Sequence, residues 1–165
     1  MKNAVTTTSA MFLLLLLSTA ARPADRSLPD QAKTILEKAS ESDVYSLEPL
    51  EKVDKAKALH GWKVLGKTTV KKAAARKALL TALTKGIAEP GRGGAKCFDP
   101  RHAIHATYEG KSVDLVICFE CGWVYVYLDG NDKTSAELEV NGRTQPVFDK
   151  LLRAASIPLA KKRQK

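Results

Sequence analysis

The chain has 165 residues, 44% of them hydrophobic, with 27 Lys and Arg against 18 Asp and Glu and a net charge of +9. That length and apolar share suit one small domain able to bury a core. The lysines are spread along the chain without an arginine-rich stripe, so no specific nucleic-acid interface is indicated. A basic solvated surface is the preferred reading of the charge, and an anionic cell-envelope component is the partner class it would suit.

The first segment reads as an export signal. Lys2 supplies a positive n-region, Met11 to Leu17 an apolar core, and Ser18-Thr19-Ala20 small residues before a cleavage point after Ala20 or Ala21. The apolar run is shorter than the ~20 residues that span a bilayer, and no later segment is apolar enough to do so. Without the leader and its Lys2, 26 basic residues face 18 acidic ones, a balance of +8. A periplasmic or secreted location is therefore expected. The segmentation is 1–20 signal, 21–42 linker and short helix, 43–158 one domain, and 159–165 a frayed basic tail.

In the exported part, Ser27 to Asp30 reads as a loose linker and Gln31 to Ser40 as a short polar helix with Ile35 and Leu36 its strong apolar residues. Asp43 to Pro49 alternates as a strand that Pro49 stops. Leu50 to Leu59 is a lysine-rich connection, His60-Gly61 a break, and Trp62 to Gly66 a second strand. A helix follows from about Lys71 with Thr69 as its N-cap and Ala75, Leu79, Leu83 and Ile87 at helical spacing. Pro90-Gly91-Arg92-Gly93-Gly94 ends it in a loop. A hairpin about Gly110-Lys111 then sets Ala106 opposite Leu115 and Ile104 opposite Ile117, with His105 diagonal to Cys118 and Arg101 opposite Glu120. Trp123 to Leu128 continues as strand with its aromatics on one face, and Ala136 to Val140 forms a last strand. Pro146 opens a final helix with Val147, Phe148, Leu151, Leu152 and Ala155 as its stripe, ended by Pro158. The fold class is α+β: a mostly antiparallel sheet with two main helices packed on one face, plus the short N-terminal helix.

Chemistry concentrates in Cys97 to His105 and Ile117 to Cys121, which hold all three cysteines and two of the three histidines. Export favours a disulfide. Cys97 with Cys121, or with Cys118, would close a loop of about twenty residues, worth ~3 kcal/mol by chain entropy, and Cys121 is preferred because it should lie at the same end of the hairpin. Cys118 and Cys121 in one extended strand would stand roughly 10 Å apart, too far to pair without a local turn at Gly122. For the same reason a catalytic C-x-x-C, which usually opens a helix, is set aside. The other reading is a zinc or copper site drawn from Cys97, His102, His105, Cys118 and Cys121. Disulfide ranks ahead of metal, and no cofactor is otherwise expected. Arg101 and His102, after Pro100, are candidates to meet an anion, against a plain Arg101–Glu120 ion pair. His60 reads as a turn or packing residue and Asp114 as a lone carboxylate.

Gly61-Trp62-Lys63-Val64-Leu65-Gly66-Lys67-Thr68 fits the P-loop pattern G-x-x-x-x-G-K-[ST]. Its middle residues are bulky and strand-forming, and no buried strand precedes it, so the fit is coincidental.

The pattern Ser46-Leu47-Glu48-Pro49, His60-Gly61-Trp62, Cys97-Phe98-Asp99-Pro100-Arg101-His102 and Ile117-Cys118-Phe119-Glu120-Cys121 resembles a group of small, uncharacterised exported bacterial proteins. The resemblance spans about residues 44–158. It implies export and marks the same Cys/His segment, and it carries no catalytic role. Three functions follow in order: a non-enzymatic binding or structural domain with a disulfide-stabilised Cys/His segment, a metal-binding protein, and a thiol- and histidine-dependent enzyme.

Overall fold

A computed structural model describes residues 26–53, 58–91, 94 and 96–161. The expected export signal, residues 54–57 of the lysine-rich connection, residues 92–93 of the Gly-rich loop and the end of the basic tail lie outside the described residues. Seven strands form one sheet: β1 (Ser42–Lys52), β2 (Ala58–Leu59), β3 (Trp62–Val70), β4 (His102–Tyr108), β5 (Lys111–Cys118), β6 (Trp123–Leu128) and β7 (Ala136–Glu139). Their order is β2-β3-β1-β4-β5-β6-β7, and every neighbouring pair is antiparallel. Among the described residues three α-helices accompany them: α1 (Asp30–Lys38), α2 (Ala73–Ala88) and α3 (Gln145–Ala154). The fold is thus α+β with an antiparallel sheet.

Period-2 alternation divides β1, β3, β4, β5 and β6 between two apolar clusters. The larger holds Val44, Ile104, Ala106, Val113, Leu115, Ile117, Val124 and Val126 from the sheet. It also takes Ile35 and Leu36 of α1, Leu79, Leu83 and Ile87 of α2, and Phe148 and Leu152 of α3. The smaller cluster is built on Leu47, Ala103, Val116 and Tyr127, with Tyr45, Trp62, Val64, Phe98 and Tyr125 packed around it. The N-terminal lead-in, expected to be loose, is held by the larger cluster: Leu28 is buried there, and so are Ala32, Ile35 and Leu36 one helical turn apart.

Several boundaries move for local reasons. Pro49 does not stop β1, because the strand's pairing with β3 is irregular between Glu48 and Lys52, where a missing N–H costs no ladder bond. β3 runs on to Val70, and α2 starts only at Ala73. Thr69 is therefore a strand residue rather than a cap, and its hydroxyl donates to Asp43 Oδ1 at 2.6 Å. α3 ends at Ala154, four residues before Pro158, where Ser156 adopts the left-handed region with φ +58°. Val147, expected in the stripe of α3, is exposed.

The hairpin turn is Glu109-Gly110, with φ +49° and +74°, one residue earlier than expected. Two consecutive positive φ values define the turn that matches strand twist. The true register pairs Ala106 with Val113, Ile104 with Leu115 and His105 with Asp114. The expected partners are thus displaced by two, an even shift that keeps every residue on its predicted face. Gly61 to Thr68, the P-loop look-alike, lies almost wholly within β3, and Lys67 Nζ donates to Asp43 Oδ2 at 2.6 Å. There is no loop of amides to hold a phosphate.

Candidate functional sites

The Cys/His segment divides into three neighbourhoods. At the end of β5 the chain turns sharply through Phe119 and Glu120, and Gly122 takes φ +77°. The Gly122 N–H donates to the Cys118 carbonyl at 2.8 Å and closes that turn. It brings the Cα atoms of Cys118 and Cys121 to 5.2 Å, and the two are joined as a disulfide. The extended geometry assumed from the sequence is overturned here, and with it the Cys97–Cys121 pairing. Cys97 is an exposed free thiol whose Sγ lies 3.9 Å from Cys121 Sγ. The Asp99 N–H points at Cys121 Sγ (3.3 Å) and the Cys121 N–H at Cys118 Sγ (3.0 Å).

The second neighbourhood lies against the larger cluster. His102 is buried, its ring edge-on to Phe119 and Phe148, and its Nε2 is 2.8 Å from Asp149 Oδ1. Burial holds the His102 pKa below the usual histidine range, although Asp149 pulls the other way. Arg101 Nη1 reaches Glu120 Oε2 at 2.6 Å, so the expected ion pair forms. The two candidate anion ligands are each engaged with a carboxylate. They line a small cavity together with Gln145, Asp149 and Arg153.

The third neighbourhood, on the side of the smaller cluster, was not anticipated. His105, three positions from His102, belongs to this face, and its Nδ1 lies 2.7 Å from Asp114 Oδ1. The other oxygen of Asp114 receives His60 Nε2 at 2.9 Å. His60 occupies the turn before β3 with φ +50° and stacks on Tyr127 with ring centroids 3.7 Å apart. Its Nδ1 is buried without a hydrogen-bond partner among the described residues. Thr107 Oγ1 sits 3.2 Å from His105 Nε2. Burial alone would raise the Asp114 pKa, but hydrogen bonds from His105 and His60 bring it below the ordinary carboxylate range. The bond to Asp114 raises the pKa of His105 against the opposing effect of burial. In the same smaller cluster as Tyr127, Phe98 stacks on Tyr125 at 3.8 Å and meets Trp62 edge-on at 6.1 Å. Phe98, Tyr125 and Trp62 are all partly open to solvent.

The residues grouped from the sequence as zinc or copper ligands are therefore dispersed. His102 and His105 project to opposite sides of β4, two thiols are spent in the disulfide, and Cys118 is remote from the Asp114 that His105 faces. Among the described residues no three His, Cys, Asp or Glu side chains converge as metal ligands. Nor does any described helix have the length and apolar character to cross a membrane. Comparison with protein-family models, curated proteins and solved structures returns no match.

The His60–Asp114–His105 cluster escaped sequence reading because its members lie far apart in the chain. The one available clue was alternation: once the turn is set at Glu109-Gly110, His105 and Asp114 must face each other.

Proposed function

We propose that this chain is an exported, non-enzymatic binding domain for an acidic polysaccharide of the cell envelope. In this reading the two main helices and the N-terminal helix share one face of the sheet, and the opposite face is the recognition surface. The observation that carries it is the set of half-exposed aromatic rings of Trp62, Phe98 and Tyr125, packed together in the smaller cluster whose Tyr127 stacks on His60 of the His60–Asp114–His105 cluster. Burying a carboxylate between two imidazoles stabilises a fold little compared with apolar packing, so its presence on this side supports a role in ligand contact. Flat aromatic faces suit the apolar faces of sugar rings. The exported part's excess of 26 basic over 18 acidic residues suits their acidic groups. The disulfide serves this surface indirectly: the turn it closes touches Cys97, and the next residue is Phe98.

The test is titration of the mature protein with polygalacturonate, followed by tryptophan fluorescence, with neutral dextran as control. Binding should weaken with added salt and fall at least tenfold in Phe98→Ala and Trp62→Ala. Equal binding of dextran, or full binding by Phe98→Ala, would refute the proposal.

A further inference from the structure

The disulfide is buried, whereas the free thiol beside it is exposed: Cys118 is 0% and Cys121 3% accessible, and Cys97 lies at the surface. A thiol from solution cannot reach the bonded sulfurs directly. Cys97 can, because its Sγ is 3.9 Å from Cys121 Sγ and bond formation needs an approach of only about 2 Å. Each sulfur that would have to leave already faces a backbone donor, Cys118 Sγ the Cys121 N–H and Cys121 Sγ the Asp99 N–H. Such donors stabilise a thiolate, and a better thiolate leaves faster. We propose that Cys97, Cys121 and Cys118 form a thiol–disulfide relay that passes the buried disulfide outward to a dithiol substrate, a protein or peptide bearing two reduced cysteines. This inference is independent of the polysaccharide reading, since it uses neither the aromatic rings nor the histidine cluster.

The steps balance. The Cys97 thiol gives its proton to solvent, and the thiolate attacks Cys121 Sγ. The Cys97–Cys121 bond forms and the Cys118–Cys121 bond breaks, leaving Cys118 as a thiolate that takes up a proton. No electrons enter or leave at this stage. A substrate thiolate then attacks the exposed Cys97 Sγ, forming a mixed disulfide and releasing the Cys121 thiolate. The substrate's second thiolate attacks its own sulfur in that mixed disulfide and frees Cys97. In sum, the substrate loses two electrons and two protons, and Cys118 and Cys121 gain them. One oxidised molecule carries out one turnover, which is the quantity to measure.

Oxidised mature protein is mixed with a reduced synthetic peptide containing two cysteines, and peptide oxidation is followed by mass after acid quenching. The parent should oxidise one equivalent of peptide at least tenfold faster than Cys97→Ala, which keeps the Cys118–Cys121 disulfide and hence the same fold. In a second measurement, air-oxidised Cys118→Ser should show a Cys97–Cys121 linkage in non-reducing peptide maps. With a single-cysteine peptide, the parent should accumulate a mixed disulfide at Cys97. Equal rates for the parent and Cys97→Ala would overturn the relay. So would two free thiols in a folded Cys118→Ser, or a mixed disulfide found on Cys118 instead.

Discussion

His102 and His105 are three residues apart on one strand, yet their surroundings act on them in opposite directions. His102 lies among Phe119 and Phe148, and burial favours its neutral form. His105 is less enclosed, and its bond to Asp114 favours the cation. The linkage signs follow from these directions. The raised His105 contributes stability that is fully present below its unfolded pKa of about 6.5 and is lost as pH rises through the folded value. The lowered His102 contributes stability that is present above about 6.5 and is lost as pH falls through its folded value. Proton NMR titration of the assigned ring resonances should place His105 above the ordinary value and His102 below it. His105→Gln should lower stability most at acidic pH, with the difference shrinking toward alkaline pH. His105 titrating at or below the ordinary value would show that Asp114 does not hold it as described.

At the scale of elements, the β4–β5 hairpin turns on a residue that tolerates its conformation poorly. Glu109 sits at φ +49°, where a side chain other than Gly, Asn or Asp is disfavoured, and Gly110 follows at φ +74°. Asn-Gly is the preferred pair for such a turn. Glu109→Asn should therefore raise stability by about 0.5 to 1 kcal/mol in urea unfolding. An unchanged midpoint would mean that Glu109 is not strained there. The same residue explains why the sequence points to a register displaced by two. Glutamate carries no turn signal, so Gly110-Lys111 looks like the turn, yet the strand faces are legible because alternation survives an even shift. The aromatic face of β6 and the apolar faces of α2 were legible for the same reason, since periodicity alone sets them. The Cys118–Cys121 turn was not legible. Four residues following a strand pattern look extended until Gly122, at φ +77°, and its hydrogen bond to Cys118 reverse the chain. His60 and Asp114 were each read as solitary because their contact depends on where β3 lies relative to β5, a long-range fact no local pattern carries.

At the scale of the molecule, one side chain ties together a helix, a turn and a strand that are distant in the chain. Phe148 of α3 is fully buried and packs edge-on against Phe119 in the disulfide turn, with centroids 5.0 Å apart, and against His102 of β4 at 5.9 Å. Helix, turn and strand thus share one aromatic knot, and His102 owes its dry surroundings to it. Truncating a buried phenylalanine typically costs 3–5 kcal/mol, from lost transfer energy and the cavity left behind. Phe148→Ala should lose about that much in denaturant unfolding. It should also admit water beside His102 and let the histidine titrate closer to about 6.5. If the alanine variant does not fold, Phe148→Leu should cost about 1 to 2 kcal/mol and move His102 in the same direction. A stability loss with His102 unmoved would mean that burial by the strand and the charge of Arg101, rather than the aromatic knot, keep the imidazole neutral against the pull of Asp149. A loss below about 1 kcal/mol would mean that Phe148 does not join the three elements at all.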